Sequence, residues 1–318
     1  MPQPAKISLG VSACLLGEEV RYDGGHTYDH FVARILGGTF NLVGVCPEAE
    51  LGMGIPRETV RLTGSTTAPH MTGSQSAKDW TAPMNRWSGQ RIRQLIDEEL
   101  CGYVFKRNSP SCGVFRVKVY QDQGRVKHQG RGLFAAEFAR RLPLVPLEEE
   151  VRLQDPATRE NFTTRVFALH RLKQAFQSRW RRAAVVNFHA RETELLLAHD
   201  RKASEKLDTL LATMTATKPA VFKELYMTAF MASLEIHATP AKHARVMREL
   251  AANLRPHLAK PEYKALLSRI TDYRAGHSPR IAAVTLLQHY GQMFDLDELQ
   301  FPSYLNPDPR EVMLHNHA

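Results

Sequence analysis

The sequence predicts two dissimilar halves. Residues 1–150 read as an α/β domain on a parallel, Rossmann-like sheet with flanking helices, and residues 151–318 as an all-α domain. Three observations carry this division. Short apolar runs alternate with helical stretches up to about residue 147, which implies parallel pairing. From Asn161 to about His289, apolar residues recur instead at three- and four-residue spacing. A length of 318 residues suits about two domains of roughly 150 residues each.

The first half is read in order as follows. ISLGVSA (7–13) is a strand. TYDHFVARIL (27–36) is a helix stopped by Gly37 and Gly38. TFNLVGV (39–45) is a second strand. The Gly/Pro/Thr/Ser-rich stretch 51–77 is too long and polar for a simple connection. A helix runs from about Trp80 to Leu100, and GYVF (102–105) is a third strand. VFRVKVY and the run after QDQGR form a hairpin. GLFAAEFARRL (132–142) is a helix and PLVPL (143–147) a last strand. LEEEVRLQDPATRE (147–160) reads as a linker. In the second half Pro219, Pro240, Pro261 and Pro279 each open a new helix.

Composition excludes several classes. A hydrophobic content of 43% with 24% charged residues is ordinary globular usage. No apolar run reaches transmembrane length, and the first residues lack the pattern of a signal peptide. The expected compartment is a reducing cytoplasm, where cysteines serve more often as ligands or nucleophiles than as bridges. The net charge of +9 is uneven. Residues 1–150 carry 18 Lys+Arg against 16 Asp+Glu, and residues 151–318 carry 24 against 17, so +7 of the excess lies in the second half. A basic half suits a polyanion such as nucleic acid, and equally suits mere solubility.

All four cysteines fall in the first 112 residues. Cys14 and Cys46 each follow a strand, and Cys112 sits in the loop after a third. Ligands of open parallel sheets bind outside the carboxyl ends of the strands, so these three thiols can converge. Cys101 precedes its strand and belongs at the opposite edge, as a small buried apolar residue. Three thiols fit a catalytic metal with an open position, or an iron–sulfur cluster with one iron free of protein ligands. The spacing alone is equally consistent with three unrelated buried cysteines.

The neighbours of these cysteines sharpen the reading. Glu48, beside Cys46 and Pro47, is a candidate acid/base, or a carboxylate in a first helical turn. Ser109, in SPSCG, can donate to a substrate carbonyl or relay a proton, or is a turn residue before proline.

SACLLGEEVRYDGG, VGVCPEAELGMGIPRE and FKRNSPSCG resemble, in order, the three cysteine motifs of the thiouracil desulfidase (TudS) family, over about residues 5–150. DPATRENFTTRVFALHR, NFHARETELLLAHD and YLNPDPREVMLHN resemble the YbgA-type helical domain. The combination resembles the RudS tRNA 4-thiouridine desulfidases. The resemblance implies that Cys14, Cys46 and Cys112 hold a [4Fe-4S] cluster and that its open iron takes the substrate's sulfur, later released as sulfide. It implies Glu48 and Ser109 as catalytic residues and 4-thiouridine in tRNA as the substrate, converted to uridine without net redox change. Cys101 matches no motif position. Two rivals stand beside this reading: a desulfidase of free thiouracil or thiouridine nucleotides, and a non-catalytic cluster protein that senses and binds nucleic acid.

Several basic residues are candidate substrate or RNA contacts. Arg57 and Lys106 lie near the motifs, as ring donors, phosphate contacts or solvated charges. Arg165, Arg171, Lys173, Arg179, Arg181 and Arg182 place six cations within 18 residues. Arg179, Arg181 and Arg182 are the ones assigned to RNA, and a solvated or packing face is the alternative. His189 and His199 stand too far apart along a helix to share a metal. Trp80 and Trp87 lie on one helical stripe and read as core.

Overall fold

The computed structural model describes residues 6–121 and 124–316. The chain forms two compact units, Met1–Val166 with Leu314–Ala318, and Phe167–Met313.

The first unit contains eight strands among its described residues: β1 (Ser8–Ser12), β2 (Asn41–Val45), β3 (Val60–Gly64), β4 (Pro69–Gly73), β5 (Tyr103–Phe105), β6 (Val117–Tyr120), β7 (Val126–Gly130) and β8 (Leu147–Glu149). They make two sheets. The first has the order β2-β1-β5-β8 and is parallel throughout, with Ser12 beside Val45 and Val11 beside Val104. Its central strands β1 and β5 are short, largely buried apolar runs, as parallel pairing favours, whereas the outer β2 is half-buried and β8 is Leu-Glu-Glu. Gly10 has no room for a side chain: a Cβ there would lie 2.2 Å from the Tyr103 ring. That ring stacks on Phe105 at 3.9 Å and meets Phe138 edge-on.

The second sheet, β4-β3-β6-β7, has antiparallel outer pairs around a parallel β3/β6 pair. The polar stretch 51–77 therefore contains a hairpin, β3/β4, rather than only a long connection. Each of those strands fully buries one large apolar residue, Leu62 or Met71. β6 and β7 form the second hairpin; Asp122 and Gln123 of its turn lie outside the described residues.

Helices in this unit are α1 (Gly37–Thr39), α2 (Pro47–Glu50), α3 (Thr81–Asp97), α4 (Leu133–Arg141) and the start of α5 (Pro156–Ala175). The helix expected over 27–36 starts later and ends later. A π-helical turn over Phe31–Leu36 leads directly into α1. Asp29 sets the start, its carboxylate accepting from the Val32 amide at 2.9 Å. Gly37 does not stop the helix, because its φ of −64° is right-handed.

Two further expectations are corrected. The last strand is not 143–147 but Leu147–Glu149, since Pro143 and Pro146 lack the amide donors that a ladder needs. The stretch 147–160 is not a linker. It holds β8, a 3₁₀ turn at Arg152–Gln154 and the first turn of α5, and it buries Glu148, Glu149 and Glu150.

The second unit is helical: the rest of α5, then α6 (Arg182–His199), α7 (Arg201–Ala212), α8 (Pro219–Ser233), α9 (Pro240–Ala252), α10 (Lys260–Arg274), α11 (Arg280–Met293), α12 (Asp297–Gln300) and α13 (Pro309–Asn316). Pro219, Pro240 and Pro261 occupy first-turn positions and Pro279 the cap before α11, where a missing amide costs nothing. Aromatic rings of Phe176, Phe222, Tyr226 and Phe230 pack in series along its core. No described helix is long and apolar enough to cross a membrane.

Several charged and polar groups buried in this unit are paired, although Glu194 Oε2 and Ser278 Oγ are buried without a hydrogen-bond partner among the described residues. Arg171 bonds Glu192 through two nitrogens, at 2.8 and 2.9 Å, and Glu311 at 3.4 Å. It belongs to an internal ion cluster rather than to a solvated basic face. His189 bridges the Tyr226 hydroxyl (2.8 Å) and Asp208 (2.7 Å), while His199 meets the Ile236 carbonyl (2.7 Å). Arg179, Arg181 and Arg182 are exposed, in the α5–α6 connection and at the first residue of α6.

Candidate active site

The carboxyl ends of the parallel sheet build the site. β1 runs into a 3₁₀ turn, Ala13–Leu16, that carries Cys14. β2 runs into Cys46, which caps α2. The loop after β5 carries Cys112. All three cysteines line one cleft of about 480 Å³, together with Glu48, Arg57, Ser109 and Ser111. Cys101 is elsewhere. Its amide donates to the carbonyl of Ser8 at 2.9 Å, and Ser8 begins the strand whose far end leads to Cys14.

The thiols suit a soft metal group. Cys14 and Cys112 are buried and Cys46 half-buried, and all are free of disulfides. Burial pushes each thiol above its ordinary range, Cys112 well above it. A thiolate becomes stable in such a place against a bound cation. Among the described residues, no three His, Cys, Asp or Glu side chains are gathered closely enough for one metal ion. Three thiols on one cleft suit a soft metal group, and thiolate ligands select iron–sulfur clusters. Cys14, Cys46 and Cys112 are the residues that would hold it.

Glu48 stands beside them with both oxygens engaged. Arg57 donates to Oε2 from Nε at 3.1 Å and from Nη2 at 2.8 Å. Ser111 donates to Oε1 at 2.7 Å. Arg57 also holds the Val20 and Gly54 carbonyls, each at 3.0 Å. Its guanidinium is thus engaged by the protein and orients Glu48, while still lining the cleft. Lys106 is committed likewise, its Nζ paired with Glu150. The two basic residues assigned to substrate from sequence are internal partners of carboxylates.

Ser109 has two functions in the loop. Its Oγ accepts from the amides of Ser111 (3.2 Å) and Cys112 (3.1 Å). It also lies 2.9 Å from the Ser111 hydroxyl. Ser111 has one hydroxyl proton, and the carboxylate at 2.7 Å outcompetes the Cys112 sulfur at 3.8 Å for it. Ser109 therefore donates to Ser111, which donates to Glu48, in one directed chain.

The loop itself is pinned from several sides. Glu149 accepts from the amides of Val114 (2.8 Å) and Phe115 (3.0 Å), and Glu150 from that of Arg107 (2.9 Å). Ser12 accepts from the Lys106 amide at 2.9 Å. The start of α4 donates to the Pro110 and Ser111 carbonyls, both at 3.1 Å. Gly132 lies against the loop, where a Cβ would stand 2.5 Å from Ser111.

Sequence reasoning missed Ser111, Glu149, Glu150 and Gly132. The roles of Glu149 and Glu150 were legible only as charge, because their partners lie 34 to 44 residues away.

Fold and site together define a parallel-sheet domain that presents three soft ligands and an oriented carboxylate to a cleft sized for a small molecule. Residues 9–150 match the family described as 2-thiouracil desulfurase, and residues 194–309 match a family described as protein of unknown function, DUF1722. The first segment is therefore a domain of the 2-thiouracil desulfurase family, an enzyme family, and the second a DUF1722 domain.

Among curated relatives, the uncharacterized protein YbgA of Escherichia coli (strain K12) is 26% identical over 153 residues, spanning 48% of this chain and 90% of its own. The uncharacterized protein YbbK of Bacillus subtilis (strain 168) is 29% identical over 108 residues, 32% of this chain and 71% of its own. A solved structure, the [4Fe-4S]-dependent thiouracil desulfidase TudS, aligns with a TM-score of 0.38 at 27% identity, over 47% of this chain and 94% of that one.

Proposed function

We propose that this protein is a [4Fe-4S]-dependent desulfidase that converts 4-thiouridine in tRNA to uridine and releases sulfide. The observation that carries the reading is the opening of Cys14, Cys46, Cys112 and Glu48 onto one cleft. A bound cluster supplies a soft Lewis acid for the thiocarbonyl sulfur. The chain's own residues supply the rest. Glu48, oriented by Arg57 and Ser111, takes the proton of the attacking water. On substrate binding Ser109 turns its one hydroxyl proton from Ser111 to the pyrimidine ring, while Ser111 keeps its bond to the carboxylate. A carbon–oxygen bond forms, the carbon–sulfur bond breaks, and sulfur leaves as sulfide with no net electron transfer.

The choice of tRNA rests on the second half of the chain, with its excess of +7 and its exposed Arg179, Arg181 and Arg182. Such cations supply sequence-independent phosphate binding, and a stacked base must be extruded for its chemistry. One observation favours a free-base or nucleotide substrate instead. Every described residue lining the cleft lies between Ser12 and Cys112, within the first unit alone.

Anaerobically purified protein incubated with thiolated tRNA should bleach the thiocarbonyl absorbance and release sulfide. Faster turnover of free thiouracil than of tRNA would establish the rival substrate. Salt-sensitive RNA binding with an intact cluster and no sulfide would establish a sensor.

A further inference from the structure

Four cations line the cleft: Arg21, Arg57, Lys106 and Arg107. Three are committed to the protein. Arg21 donates to Thr27 at 3.1 Å and lies 3.6 Å from Asp23. Arg57 holds Glu48 and Lys106 holds Glu150. Arg107 differs. Its side chain is exposed and makes no hydrogen bond or ion pair among the described residues, while its backbone is fixed. The Arg107 amide is held by Glu150 at 2.9 Å, and the next residue, Asn108, turns the chain with a φ of 60°. The site thus carries one anchored but unpaired guanidinium on its wall.

The position of Arg107 relative to the reacting centre restricts what it can meet. The Cα atoms of Arg107 and Ser109 are at most about 7 Å apart, the scale that separates a nucleobase from its own phosphate. A neutral pyrimidine gives a guanidinium no counter-charge. A phosphate gives it a charge-assisted, two-pronged contact.

We propose that Arg107 is a phosphate anchor, and that the cleft receives its pyrimidine as a nucleotide rather than as a free base. This rests on the reading of the cleft as a pyrimidine site, and it names the substrate class. The phosphate belongs either to a free nucleotide or to a polynucleotide strand.

The test is a binding titration of the full-length protein with non-thiolated probes: uridine, uridine 5′-monophosphate and the trinucleotide UpUpU. The monophosphate should bind at least about tenfold tighter than uridine, as one charge-assisted contact implies. Arg107→Ala should bring the ratio close to one, and Arg107→Lys should keep part of it. A further gain for UpUpU over the monophosphate assigns the phosphate to a strand, and equal binding assigns it to a free nucleotide. Equal binding of uridine and its monophosphate, an unchanged ratio in Arg107→Ala, or no binding of any probe at millimolar concentration overturns the anchor. Because the titration reads binding and not sulfide release, the anchor stands or falls even in a protein without desulfidase activity.

Discussion

The hydroxyl of Ser111 donates to Oε1 of Glu48 at 2.7 Å, across 63 residues of sequence. This bond ties the loop after β5 to the helix after β2, and so fixes the carboxylate relative to two of the three thiols. Arg57 holds the other oxygen, which leaves Glu48 little freedom to turn.

Ser111→Ala removes that donor without touching a thiol. A hydrogen bond to a charged group is worth about 1.5–3 kcal/mol, so sulfide release should fall by about one to two orders of magnitude. The visible absorbance of the cluster should remain. Turnover equal to wild type would show that the carboxylate needs no second support.

Cysteine substitutions separate ligands from a bystander. Cys14→Ala, Cys46→Ala and Cys112→Ala should each lose iron and acid-labile sulfide, measured on anaerobically purified protein. Cys101→Ala should retain both, since Cys101 sits at the opposite ends of the strands. Loss of iron from Cys101→Ala would place a fourth thiol in the centre.

Glu149 makes stability depend on pH. Burial raises its carboxyl above the ordinary value of 4.5, against the lowering effect of the Phe115 and Val114 amides. The folded state therefore holds this proton more tightly than the unfolded one. Its contribution is greatest below about pH 4.5 and declines as pH rises from there through the folded-state value. Glu149→Gln keeps an acceptor for both amides and removes the titration. Wild-type stability relative to Glu149→Gln, read by urea unfolding, should decline over that rising interval. A constant difference between pH 4 and 8 would exclude the effect.

Gly132→Ala tests the packing of the cysteine loop. The added methyl would lie 2.5 Å from the backbone of Ser111 and 2.8 Å from the Cys112 amide, so the loop must shift. Overpacking of this kind costs about 1–3 kcal/mol. A lower melting temperature is expected, with reduced iron content per chain. Full iron occupancy and an unchanged melt would show that the loop yields freely.

Three strands of the parallel sheet were legible because Leu9, Val11, Val45, Val104 and Phe105 are apolar and fully buried, so β1, β2 and β5 read as apolar runs, whereas β8, Leu-Glu-Glu, does not. The positions of Cys14 and Cys46 follow from the ends of those runs. The second sheet was half legible. The VKVY hairpin shows alternation, but PHMTG and VKHQG carry too few apolar residues to read as strands. β3 finds its parallel partner β6 by pairing Leu62 with Val119, a contact that no local pattern encodes. The roles of Arg57 and Lys106 were hidden for the same reason. A cation near a motif reads as a free charge until the fold places its carboxylate partner beside it, nine residues away for Arg57 and 44 for Lys106.

The cleft draws its thiols from three strand ends separated by 32 and then 66 residues. A zinc finger gathers ligands from one short stretch and folds around its metal. Here the three sulfurs reach one cleft only once β1, β2 and β5 have paired, so the proposed cofactor would enter a sheet already assembled. The unfilled form would be a folded intermediate with a finished socket, awaiting delivery rather than nucleating around what it receives.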